Sequence, residues 1–471
     1  MPLHSAARAV RAAQPCGGAV CAVFGAALAC TALEPGADAF GVDAGRRLTA
    51  SPFESSASDA GTARPSPIAG CPPVRERALR VLGNDPVVEI GADESWSCTT
   101  NYLLASPVLI APGQTLTIGP DTRIAGELGS YLLAQRGARL VANGTAEAPV
   151  VFGSARPVGE RAPGDWKGLM FAGSAPSHVA NAALPGSVSD ARAFFGGGPS
   201  GDIAHDCGVL RFVRVEFAGG NTDEEATPAA AVTLGACGTS TVIDHLQIHR
   251  ATDGLGLIGG TTSVRHLVVT NNGAGNAVEW TGGYTGQMQY VAAQGAGGAA
   301  ALKGSNSEAS PAQVPVSHPV IYNASIVGLR PLISSGSHYG LSLAHGATAT
   351  LQNSIIAHFD DAAIALESEV TIATSNARQI THLTLFDNGR DGQTHLTAAA
   401  RVLEGDSLRA RDPGLDAALS LSDPDFVPRD AGVQGDIELT PTGFDPAATY
   451  RGALPFSGPD WTLGWTEYPL N

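Results

Sequence analysis

Short alternations of apolar and polar residues recur along this chain at a nearly constant spacing. Ile243-Asp244-His245-Leu246-Gln247-Ile248 aligns with Val264-Arg265-His266-Leu267-Val268-Val269 and with Met288-Gln289-Tyr290-Val291, first 21 and then 24 residues further on. Leu210-Arg211-Phe212-Val213-Arg214-Val215 carries the same alternation upstream. Asn323-Ala324-Ser325-Ile326-Val327, Asn353-Ser354-Ile355-Ile356 and Thr381-His382-Leu383-Thr384-Leu385 carry it downstream. Each copy reads as a strand with one buried face. Turn residues such as Gly259-Gly260-Thr261, Asn271-Asn272-Gly273 and Gly282-Gly283 separate the copies. A repeat of this length fits one coil of a solenoid whose coils stack about 4.8 Å apart, so that equivalent side chains form ladders. A leucine-rich repeat would need its leucine-and-asparagine spacing and a helical segment, and neither is present. The pattern predicts an all-β, single-stranded, right-handed parallel β-helix.

The same reading divides the chain. Leu116-Thr117-Ile118, Arg139-Leu140-Val141 and Val150-Val151-Phe152, set off by Gly119-Pro120, Asn143-Gly144 and Pro149, extend the solenoid toward the N-terminus. Ser174 to Asp206, dense in Gly, Ala, Pro and Ser, reads as a long loop leaving one coil, where solenoids place binding functions. From about residue 401 the period fades, and a tail ending in Trp461 to Trp465 and Tyr468 is expected to cover the last coil, which would otherwise be a sticky edge. At the other end Arg8 and Arg11 precede an apolar stretch, Gly17 to Leu33, with small-residue cleavage options at Ala27-Leu28-Ala29 and Ala37-Asp38-Ala39. The expected organisation is 1–29 signal peptide, 30–74 low-complexity tether, 75–400 parallel β-helix and 401–471 C-terminal cap. The protein is therefore expected to be exported: an outer-membrane lipoprotein, or a cell-surface or periplasmic protein. Cys30 stands where lipidation of a mature first residue would occur, although Leu28 is two positions before it rather than the usual three. The alternative is a cysteine inside an ordinary cleaved signal.

Composition narrows the picture. Apolar residues make up 44% of the chain and are mostly small, which suits thin stacked layers. The formal net charge of −16, without a basic cluster, argues against nucleic-acid binding. Any membrane contact is expected only through a lipid at Cys30. Cys71, Cys98, Cys207 and Cys237 remain after export, an even number that suggests two disulfides in an oxidising compartment. Three pairings are open; Cys71–Cys98 and Cys207–Cys237 are favoured because each pair brackets a short stretch.

Several stretches resemble a known group. They are Leu116-Thr117-Ile118-Gly119-Pro120-Asp121-Thr122-Arg123-Ile124, the run from Gly137 to Phe152, Gly164-Asp165-Trp166-Lys167-Gly168-Leu169, Val213-Arg214-Val215-Glu216-Phe217-Ala218-Gly219, and the ending Tyr450-Arg451-Gly452-Ala453 with Trp461-Thr462-Leu463-Gly464-Trp465-Thr466. In these the chain resembles the right-handed β-helix-repeat lipoproteins and surface proteins of myxobacteria and Bacteroidetes-like bacteria. The resemblance implies shape and location; the group's chemistry is mostly unassigned. Relatives often carry acidic clusters at the equivalents of Asp253-Gly254 and Asn271-Asn272-Gly273, so a cation site there would be weakened here.

Exported β-helices are often polysaccharide lyases or glycoside hydrolases. A lyase needs an Arg or Lys base beside an acidic Ca²⁺ site, and a hydrolase needs carboxylates at a fixed separation. Asn221-Thr222-Asp223 and Asp360-Asp361 look superficially like a polygalacturonase pair but are too far apart to share a site. Glu216, Asp244, Asp253 and Glu279 are the carboxylates that could line one face as a catalytic or cation-binding cluster, with Ca²⁺ the only cofactor in view. His245 and His266 should stack on successive coils, with His249 nearby, either as a solvent-facing ladder or, with Asp253, as metal ligands. Asn323 and Asn353 fit amide ladders. Trp166 and Trp280 fit either core packing or sugar stacking. The leading expectation is a non-catalytic surface or periplasmic protein presenting a long face to a polysaccharide, matrix or cell-envelope protein. Its rival is a carbohydrate-active enzyme acting on acidic polysaccharide.

Overall fold

The computed structural model describes residues 52–53 and 66–471, except 221–228, 274, 296, 331, 333–337, 377 and 406. The signal stretch, Cys30, most of the tether and Asn221-Thr222-Asp223 lie outside the described residues. What is described builds two long stacks of parallel strands, one of 15 and one of 10, plus a two-stranded antiparallel hairpin. Pairing runs coil to coil in register: Ile243 with Val264, Val264 with Met288, Met288 with Ile321, Ile321 with Leu351. The fold is the expected all-β parallel β-helix. Paired strands extend from Ala78–Leu82 to Leu408–Ala410.

Alternation places the core between the two stacks. Val213, Val215, Leu246, Ile248, Leu267 and Val269 point inward from the larger stack, and Leu169, Phe171, Leu234, Leu255, Val278 and Trp280 meet them from the other. Trp166 and Trp280 are fully buried, so core packing is their role.

From Gly208–Glu216 onward the larger stack uses long bent strands. Gly208–Glu216 pairs at its start with Arg139–Asn143 and at its end with Val150–Ser154, so two short strands of the previous coil continue as one. The bend falls on a residue in the left-handed region, and the same position bends in every later coil: Phe212 (φ 49°), His245 (57°), His266 (49°), Tyr290 (61°), Asn323 (55°), Asn353 (52°) and His382 (54°). Such a conformation costs an L-residue roughly 1–2 kcal/mol. His and Asn adopt it more readily than most, which explains why they recur there.

The C-terminal tail does not sit over the last coil. It runs back along the outer side of the larger stack. Leu415, Phe426, Val433, Ala453, Leu454 and Trp465 cover Val268, Ala292, Val327 and Ile355, the outward-facing neighbours of the core row. Asn323 Nδ2 donates to Tyr450 O (2.7 Å) and Asn353 Nδ2 to Glu438 O (2.8 Å), so these amides clamp the tail rather than one another. Trp465 packs edge-on against Phe212 and His245, far back along the solenoid. The end of the core is closed instead by Ala400 and Leu403, in the short helix Ala399–Leu403.

Both favoured disulfides are present, Cys71–Cys98 and Cys207–Cys237. They fit an oxidising, exported compartment. Among the described residues no helix is long and apolar enough to cross a membrane.

Candidate functional site

The four candidate carboxylates separate into three environments. Glu216, on the outer side of the larger stack, is fully buried: Arg214 Nε and Nη2 reach its Oε1 at 2.9 and 2.7 Å, and the same Nη2 reaches Glu467 Oε2 of the tail at 2.7 Å. Burial alone would lower the Arg214 guanidinium, but the two carboxylates outweigh it and hold the group firmly charged. Glu216 is thus an anchor for the tail. Asp244 lies further along the same side, beside His245 and His266 (3.0 and 2.7 Å). Burial would raise its carboxyl; the two imidazoles outweigh that and hold it well below the usual range.

Asp253 and Glu279 belong to the second stack, and only these two meet. Asp253 sits in the turn before the strand Leu255–Ile258, and Glu279 faces outward from Val278–Thr281. Asn276 bridges them: its backbone N–H donates to Asp253 Oδ1 (2.8 Å) and its Nδ2 to Glu279 Oε2 (3.0 Å). The approach requires a glycine, because a Cβ on Gly275 would stand 2.0 Å from Asp253 Oδ1. Lys303, the register partner of Glu279 on the next coil, places Nζ 3.4 Å from Glu279 Oε1. Burial, reinforced by Glu279, pushes the Asp253 carboxyl up.

Asp253, Asn276 and Glu279 border a cleft of about 400 Å³. The excursion after Ser174 builds its other wall. That segment forms the hairpin Ala182–Ala183 with Phe194–Phe195 and packs Leu184, Ala193 and Phe195 over Leu133 and Met170 of the second stack. Its edge brings Val179, Ala182, Pro185 and Phe195 to the cleft, opposite Thr233, Gly256 and Ile258. Gly256 lies between Thr233 and Glu279 in one outward ladder, and its missing side chain leaves room in the floor. The cleft is an apolar slot with a polar end made of Asp253, Asn276 and Glu279, with Lys303 behind Glu279.

The chain matches the family model described as a pectate-lyase-like β-helix domain over residues 89–410. It belongs to that family. The match holds both stacks except the first strand, Ala78–Leu82, takes in the cleft's second-stack wall and the excursion, and stops just before most of the tail. No curated protein and no solved structure matches the chain. A pectate-lyase-like β-helix fits a carbohydrate-related surface protein, while the activity has to be argued from the site itself.

Judged on that ground, the expected single face of four acids is not formed, since Glu216 and Asp244 lie on the other stack from Asp253 and Glu279. Asp253 likewise stands apart from His245 and His266, whose carboxylate neighbour is Asp244. Asn272 serves a backbone group, its Oδ1 accepting from Ala251 N–H (3.4 Å), whereas at Asn271 it is the backbone N–H that donates, to Gln294 Oε1 (3.0 Å). Asn276 and Lys303 were not among the expected site residues. The Lys303 signal was its rarity, since only one other lysine, Lys167, occurs in the chain.

Proposed function

We propose that this protein is an exported β-helix protein that binds a glycan, without turnover, in the cleft between the second stack and the excursion after Ser174. One observation carries the reading: a mostly apolar slot ends in a few hydrogen-bonding groups, the usual make-up of a ligand site. Asn276 and Lys303 already engage the two carboxylates, which makes them rigid acceptors for hydroxyl groups. Two acids facing one lysine disfavour a uronate and favour a neutral or amine-bearing sugar. The long face expected for binding is narrowed to this side, because the tail covers the outer side of the larger stack. Anchoring through a lipid on Cys30, as in the lipoproteins the sequence resembles, completes the proposal.

A second reading has its own support. Asp253, raised by burial, and Glu279, paired with Lys303, are two neighbouring carboxyl groups of the kind that share the work of glycoside hydrolysis. A panel of neutral, amino and uronate glycans, with Ca²⁺ present and absent, separates the two. Saturable binding with no new reducing ends or unsaturated product supports the binding protein. Turnover abolished by Glu279→Gln replaces it with the enzyme. Mass spectrometry of the mature N-terminus tests the anchor: a first residue other than a diacylated Cys30 refutes it.

A further inference from the structure

On the other stack, the bend ladder brings together a constellation the cleft does not use. Phe212, His245, His266 and Tyr290 stack ring on ring on four successive coils, with centroids 4.2, 4.1 and 4.8 Å apart. The stack holds the two imidazoles in line, each with its Nδ1 toward the same atom. That atom is Asp244 Oδ1, 3.0 Å from His245 Nδ1 and 2.7 Å from His266 Nδ1. His266 makes a hydrogen bond there, whereas His245 Nδ1 lies off the hydrogen-bonding line and is buried with no hydrogen-bond partner. Two ring nitrogens therefore converge on one carboxylate oxygen, which gathers three donor atoms around a single point.

We propose that Asp244, His245 and His266 form a binding site for a divalent transition ion of the Zn²⁺ class. The donor set decides the class: two imidazole nitrogens and one carboxylate oxygen suit Zn²⁺, Ni²⁺ or Cu²⁺, whereas Ca²⁺ and Mg²⁺ want oxygen throughout. All three donor atoms lie within 4.8 Å of one another. With metal–ligand bonds of about 2.0–2.2 Å, tetrahedral donors stand roughly 3.3–3.5 Å apart. Asp244 therefore has to withdraw by roughly 0.3–0.8 Å, within the play of its side-chain torsions. Arg211 Nε lies 3.9 Å from Asp244 Oδ2, so its charge faces the far oxygen and leaves Oδ1 for the ion. Trp461 and Trp465 close one side, edge-on at 5.1 Å from His266 and 5.6 Å from His245. Side-chain exposures of 27%, 18% and 21% for Asp244, His245 and His266 leave the opposite side open to a fourth ligand. Arg211 and Arg265 flank Asp244 in the ladder, so the affinity has to come from imidazole coordination rather than net charge. That again selects against Ca²⁺.

The test is calorimetric titration of the metal-stripped full chain with Zn²⁺. One equivalent is expected to bind, with Asp244→Asn and His266→Asn each weakening it by more than about tenfold. Asn tolerates the left-handed bend, so His266→Asn should fold, and an unchanged melting temperature of the metal-free variant checks this. His338→Asn, which removes the exposed His338–Asp361 pair (2.8 Å), should leave the affinity unchanged. Co²⁺ in place of Zn²⁺ should give visible absorption bands that vanish in Asp244→Asn, a readout that stands even if His266→Asn fails to fold. No saturable binding near one equivalent, or binding and bands that survive Asp244→Asn, would overturn the site.

Discussion

His249 shows how much of this structure depends on single polar residues facing outward from the strands. It is fully buried, with Nδ1 2.8 Å from Thr270 Oγ1 and Nε2 3.0 Å from Pro469 O of the tail. Burial holds its imidazole down at about 3, far below the ordinary ~6.5. The fold therefore binds the neutral ring. Its stabilisation is complete above about pH 6.5 and is lost as pH falls from there toward 3. Amide protection in residues 461–469 is expected to drop between pH 7.5 and 5, and the drop should be absent in His249→Gln; equal pH dependence in both proteins would refute this role. Asp253 has the opposite sign. Its carboxyl is raised, so ionisation opposes folding: the penalty is absent below about pH 3.9, grows as pH rises through the folded-state value and is constant above it. Asp253→Asn keeps an acceptor for the Asn276 N–H. It should melt higher than the parent at pH 7, with the gap closing toward pH 4, and a variant that melts lower at pH 7 contradicts the assignment.

At the scale of elements, the bend ladder and the tail depend on each other. Asn323→Gly keeps the left-handed bend and loses the clamp on Tyr450 together with the bond that Gln289 Nε2 donates to Asn323 Oδ1 (3.1 Å), at a cost of about 1–3 kcal/mol. Asn323→Val loses the clamp and also forces a β-branched residue to a positive φ, adding roughly 1–2 kcal/mol or more. Chemical denaturation should rank them in that order, and the reverse order would mean that the bend is not strained. Removing residues 411–471 uncovers Val268, Ala292, Val327 and Ile355 together. The shortened chain should bind an apolar dye strongly and aggregate. The coils themselves were legible in the sequence, because one-sided alternation repeats at a fixed spacing. The tail's path was not, although its trace was present: Val268-Val269 and Ile355-Ile356 put apolar residues on both faces of a strand, the mark of burial on two sides. The tail packs on that second face, which is why Trp465 lies beside His245 and not at the last coil.

On the scale of the whole molecule, the solenoid spreads its stability over nearest-neighbour interfaces between coils. The Cys207–Cys237 bridge lies inside the core and closes a separation of 30 residues that holds the strands Gly208–Glu216 and Val232–Gly235. Its replacement by two alanines should cost about 3–4 kcal/mol by the chain-entropy argument, seen as a lower denaturation midpoint; no change would mean that this coil is held by packing alone. The same architecture explains why the site was harder to read than the fold. Glu279, Lys303 and Gly256 are neighbours only because separate coils are in register, and the excursion that walls the cleft has no period of its own. A sequence scan ranks the acids by spacing, and Glu216 fits that spacing as well as Glu279 does. What separates them is the stack each belongs to and what packs on it, Glu467 of the tail in one case and an open slot in the other.

Hydrogen exchange of the full chain with and without its best-bound glycan tests the central claim most directly. Protection is expected in two blocks, residues 253–258 with 276–281 on the second stack and residues 177–185 of the excursion, and it should be lost in Glu279→Gln. Protection confined to the outer side of the larger stack, or unchanged by Glu279→Gln, would contradict the account.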